Sequence, residues 1–178
     1  MNNIFLRLRR GTGILLATLL VTSTFCRPAD LPVIAPRVQL DAENAGPREI
    51  EEQTEKAIVR DYGAAWTALN QALERNQPEP LGDLWVGTAK QLFLDALQQQ
   101  EQSGIRIRYL GQQHQLQAVF YSQEGSALEL QDTAQVERQV LDGETVVNSE
   151  SLTLHYLVVM TPTTDHWQVR IFQSVADF

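Results

Sequence analysis

Apolar positions change their spacing once along this chain, and that change divides its main domain. From Ile58 onward, Tyr62, Ala65, Leu69, Ala72 and Leu73 recur at steps of three and four, with Trp66 beside the stripe. Such spacing predicts an amphipathic helix of about six to seven turns. Pro47 followed by Glu49, Glu51 and Glu52 supplies a helix-start signal, and Pro78 and Pro80 stop the helix after Asn76. A short helical turn over Leu81–Val86 follows, anchored by Trp85. Thr88 is then placed to cap a further helix with Leu92, Phe93, Ala96 and Leu97 on its apolar face, ending at Gly104.

After Gly104 the period becomes two. Ile105, Ile107 and Tyr109 alternate with Arg106 and Arg108; Gly111 interrupts as a bulge or bend, and Leu116, Ala118 and Phe120 resume. Leu128, Leu130, Ala134, Val136 and Val140 share one face of a long strand. Asp142-Gly143 signals a hairpin, and Leu152, Leu154, Tyr156, Val158 and Met160 mark the return. A last strand carries Trp167, Val169 and Ile171. Helices come first and strands afterwards, so the expected class is α+β, with an antiparallel sheet of about four strands.

The first 46 residues differ in kind. Met1–Gly13 holds Arg7, Arg9 and Arg10 and no acid, and Ile14–Phe25 is apolar or small throughout. A basic segment followed by about a dozen apolar residues reads as an export signal, because a bilayer core of about 30 Å needs about 20 residues to span. Residues 1–26 are thus expected to be a signal peptide or signal anchor. Export to the periplasm or beyond is the expected localisation, and the membrane is met only through this segment. Cys26 stands where a lipoprotein acceptor cysteine stands, although Phe25 replaces the small residue such sites carry. Residues 27–47 hold four of the seven prolines and are expected to be an extended linker, leaving residues 48–178 as the domain.

Charge narrows the partners. The chain has a formal net charge of −8, and the part after Cys26 carries 11 basic against 22 acidic residues. Such a surface repels phosphate backbones, so nucleic acid is not an expected partner. With one cysteine there is no intrachain disulfide, and the three histidines are not spaced as metal ligands; neither metal nor cofactor is expected.

Helices followed by long antiparallel strands in about 130 residues resemble the nuclear transport factor 2-like (SnoaL-like, cystatin-like cone) superfamily. The resemblance rests on "VRDYGAAWTALNQA" as a first helix and "LHYLVVMTPTTDHWQVRIF" as a closing hairpin with W-x-V on the last strand. The same pattern resembles the C-terminal domain of plastid-division inner-membrane proteins and their cyanobacterial relatives. The resemblance implies a sheet curled around the long helix, with a conical cavity. In some members the cavity holds a catalytic carboxylate; in many it serves binding.

Polar residues sharing parity with the apolar faces are the candidates for such a pocket: His114, Asp132, Arg138 and Tyr156, with Trp66 from the helix. Asp132 and Arg138 lie six residues apart on one strand, about 20 Å when extended, and do not pair along it. No G-x-S-x-G, P-loop or H-E-x-x-H motif is present. The expected function is therefore a non-enzymatic binding or scaffold domain, taking a protein partner, a second copy through its polar sheet face, or a small apolar ligand. The alternative is an isomerase or hydrolase using Asp132 with His114 or Tyr156.

Overall fold

A computed structural model of the chain describes residues 35–178. The signal segment, the candidate lipidation site Cys26 and the first part of the linker lie outside the described residues. Among the described residues, no helix is long and apolar enough to cross a membrane.

Strand β1 (Arg37–Asp41) precedes helix α1 (Glu52–Arg75), a single 3-10 turn (Glu79–Leu81) and helix α2 (Gly87–Ser103). Strands β2 (Ile105–Tyr121), β3 (Leu128–Asp142), β4 (Thr145–Pro162) and β5 (Trp167–Val175) then follow. The five strands form one sheet in sequence order, antiparallel except where β1 runs parallel to β2. The architecture is α+β, with two helices packed on a curled sheet.

The fifth strand comes from residues expected to be linker. Val38 and Leu40 alternate with polar neighbours and pack against the core, while the edge of β2 from Gln113 to Gln117 supplies their hydrogen-bonding partner. Two apolar residues behind a Pro-rich run are too weak a pattern to announce a strand. Pro47 likewise does not open α1. It bridges to Tyr121, and the helix begins at Glu52, behind the extended Glu51.

Helix α1 ends as its sequence predicts. Asn76 adopts the left-handed conformation (φ 52°), a geometry asparagine tolerates, and the Gln77 N–H returns to the Ala72 carbonyl. Helix α2 starts one residue ahead of Thr88, whose hydroxyl bonds the Arg170 carbonyl instead of capping the helix. The helical turn sits at Glu79–Leu81 rather than Leu81–Val86, but Trp85 is the anchor expected: it is fully buried and its Nε1–H donates to the Ala65 carbonyl at 2.7 Å.

Register shifts decide which side chains face the helices. An extra β2 residue at Gly111–Gln112 resets the parity, so that Tyr109 and His114 both point inward. A second shift at Val119 turns Phe120 out and Tyr121 in; a third at Arg170 turns Ile171 out and Phe172 in. Phe120 and Ile171, expected on the buried face, are 42% and 44% exposed. Near the β3–β4 turn, Val147 is the extra residue, and Leu141 rather than Val140 is buried.

The reset at Arg170 predicts a sharp contrast between neighbours. Phe172→Ala should destabilise the domain by about 3 kcal/mol through loss of core packing, and Ile171→Ala by no more than about 0.5 kcal/mol. Urea unfolding of the two variants measures the difference, and equal losses would remove the bulge.

Candidate functional site

Five of the sequence-selected residues can be placed, and four meet. His114 from β2, Asp132 from β3, Tyr156 from β4 and Trp66 from α1 converge in the middle of the core. Asp132 lies opposite Leu116 on one side and Tyr156 on the other, and His114 is its diagonal neighbour. The fifth, Arg138, does not join them. Six residues further along β3, it forms a partly exposed ion pair with Glu150 through Nε and Nη2. Its distance along the strand is enough to keep it out.

Asp132 is completely buried, and so in effect is His114. The His114 Nδ1–H donates to Asp132 Oδ2 at 2.8 Å, and the Tyr62 hydroxyl donates to the same oxygen at 2.7 Å. These bonds supply partners to one oxygen of the buried carboxylate. Tyr62 is the member that the sequence did not reveal. It sits in the apolar stripe of α1, where a tyrosine reads as core; only its 2.7 Å bond to Asp132 shows the role of its hydroxyl.

Around this cluster the aromatics are closely packed. The Trp66 indole lies 4.4 Å from the His114 ring centroid and 5.8 Å from both Tyr156 and Phe172. Tyr156 and Phe172 lie 4.3 Å apart. The cone is therefore filled where the resemblance implies a cavity. Five of the surface grooves have linings that include none of Tyr62, Trp66, His114, Asp132 and Tyr156. Three buried atoms of the cluster, His114 Nε2, Asp132 Oδ1 and Trp66 Nε1, have no hydrogen-bond partner within the protein.

Two further polar contacts tie helices to sheet. Gln100 of α2 is buried; its amide donates to the Leu73 carbonyl at 2.9 Å and its Oε1 accepts the Ile107 N–H at 2.9 Å. Asp61 of α1 accepts the Trp167 N–H at 2.8 Å. Neither is separable by sequence from the surrounding polar positions. His155 and His166 lie outside the core. His166 contacts Asp165 and Asp83 and is pushed above its ordinary pKa, chiefly by its bond to Asp165. Among the described residues, no group of acids, histidines and cysteines is arranged to hold a metal ion.

Comparison with known proteins reports on the fold. No family model and no curated protein matches the chain. Among solved structures, the intermembrane-space region of the chloroplast protein ARC6 is similar over 73% of this chain and 99% of its own, with 16% identity and a TM-score of 0.56. A putative dehydratase of the NTF2-like family from Streptomyces avermitilis is similar over 67% of this chain and 96% of its own, with 15% identity and a TM-score of 0.43. A putative scytalone dehydratase from Novosphingobium aromaticivorans covers 67% of this chain and 83% of its own, at 13% identity and a TM-score of 0.43. At these identities the likeness concerns the fold alone, which this chain shares with the ARC6 region over most of its described residues.

The buried phenols make the core sensitive to alkali. Burial raises the Tyr62 hydroxyl well above the ordinary tyrosine value, with the Asp132 charge adding to it, and burial raises Tyr109 and Tyr156 in the same direction. Below about pH 10 both folded and unfolded chains keep these protons, so the contribution is intact. Above it the unfolded chain ionises while the folded chain does not, and stability falls as pH rises. Urea midpoints between about pH 8 and pH 11 should show this decline, and Tyr62→Phe should make it shallower.

Proposed function

We propose that this domain is a non-enzymatic binding or scaffold module that works outside the cytoplasmic membrane and recognises a protein partner or a small apolar ligand. The observation that carries this reading is the closed interior. The carboxylate a cone enzyme would use is engaged by Tyr62 and His114 and is fully buried beneath packed aromatic rings. A general base must come within hydrogen-bond reach of its substrate, and a filled cone gives a substrate nowhere to sit.

The site proposed for an apolar ligand is the seam between α2 and β2. There Leu73, Phe93, Ala96, Ile105, Ile107 and Tyr109 line a groove of about 450 Å³. Work outside the cytoplasmic membrane is supported by the basic and apolar N-terminal segment. The similarity in fold to an intermembrane-space region is in keeping with it.

The unpartnered His114 Nε2 and Asp132 Oδ1 favour one second reading, an isomerase or hydrolase in which the core opens to admit substrate to Asp132 with His114 or Tyr156. Histidine acylation by diethyl pyrocarbonate separates the two. On the folded protein, His155 should be modified and His114 spared until the chain unfolds. Modification of His114 at the rate of His155 would support an opening cone and the enzymatic reading. Export has its own measurement, which is mass spectrometry of the N-terminus from membrane and soluble fractions. A cut near Cys26 or a lipid on it supports export, and an intact Met1 in the soluble fraction opposes it.

A further inference from the structure

Sheet edges expose unpaired backbone groups, and each edge of this sheet but one is short, covered or bonded. Strand β1 has only five residues. Ahead of β1, the β2 edge gives its Ile107 and Tyr109 N–H groups to Gln100 and Asn70. On β5, Val169 exchanges backbone bonds with Leu84 and Val86. The exception lies on β4. Strand β5 pairs with it only from His155 onward, so Thr145–Leu154 has no strand on its outer side. Among the described residues, no loop or helix backbone bonds to it.

This ten-residue stretch extends about 33 Å. Natural edges are usually guarded by lysine, proline, inward-pointing charge or a bulge, and the one bulge on this stretch, at Val147, sits at its hairpin end. Here there is no lysine, arginine or proline, and Glu150 is the single charge. Val146 and Val147 on it are 43% and 56% exposed, two of the few large apolar side chains so placed.

We propose that this edge pairs antiparallel with the same edge of a second copy of the chain, about a two-fold axis at Ser149. Three constraints select that occupant and register. An edge of this length is matched in full by its own copy, and two-fold pairing makes the contact self-complementary. Centring on Glu150 would set that carboxylate opposite itself, which is destabilising. Centring on Ser151 would drive the hairpin turn of each copy into the position that Val175 of β5 already occupies beside His155.

At Ser149 the pairing runs from Thr145 to Leu152 and meets neither obstacle. Glu150 faces Asn148 of the copy; the extra residue at Val147 then shifts the register by one, so that Ser151 faces the exposed Val146 and Leu152 faces Thr145. The pairing does not depend on what the cone binds, and its failure leaves the closed-interior reading in place.

The test uses the full-length chain with Cys26→Ser, in detergent micelles at about 0.15 M salt to screen its net negative charge. Ser149→Cys should form a disulfide-linked dimer on mild oxidation. Residues directly opposed on antiparallel strands lie about 4.5–5.5 Å apart at Cα, within disulfide range. Gln117→Cys, on the outer face of β2, should stay monomeric. In sedimentation equilibrium the parent chain should dimerise, and Val147→Lys should weaken the dimer at least about tenfold by placing a charge in the pairing. Cross-linking of Ser149→Cys no faster than Gln117→Cys would overturn the proposal, as would unchanged sedimentation of Val147→Lys. Linking through Gln117→Cys alone would place the contact on the sheet face and would equally overturn it.

Discussion

A carboxyl group in the middle of an apolar core stays there only if other elements bring it hydrogen bonds. At Asp132 those bonds come from α1 through Tyr62 and from β2 through His114, and both end on the same oxygen. The long helix, the second strand and the third strand are thereby fixed relative to one another at one point. A one-residue slip of β3 would carry Asp132 to the solvent face and leave both donors unpaired. The cluster thus specifies register as well as contributing stability. Trp66, packed on His114, extends the same constraint to β4 and β5 through Tyr156 and Phe172.

Much of this arrangement was legible in the sequence, because period and parity are local properties. The switch from helical to alternating spacing at Gly104 placed the helices and the sheet. Parity brought His114, Asp132 and Tyr156 to one face, helped by Gly111, whose left-handed φ of 59° marks the reset. The resets at Val119 and Arg170 carry no such mark, since neither residue is a turn former. Phe120 and Ile171 were consequently expected inside, where Tyr121 and Phe172 stand. Strand β1 was hidden for a different reason: five residues with two apolar positions gain their structure from the edge of β2, a partner more than seventy residues away. Tyr62 was hidden because a hydroxyl in an apolar stripe reads as packing until its partner is seen.

Burial of the acid also shapes the functional conclusion. The fold offers a cone, and this chain fills it with Trp66, Tyr156 and Phe172 around the polar cluster. On the proposed reading, recognition falls to the outside: the groove at the α2–β2 seam and the uncovered edge of β4. Both lie away from Asp132, so a variant that alters one of them need not disturb the core.

The account rests on the coupling of α1 to the sheet through the Tyr62–Asp132 bond. A double-mutant cycle with Tyr62→Phe and Asp132→Asn, read by urea unfolding at neutral pH, measures it directly. A coupling energy of about 1–3 kcal/mol is predicted for a buried bond to this side chain. Additive losses, with a coupling near zero, would contradict the claim that this bond holds helix and sheet together.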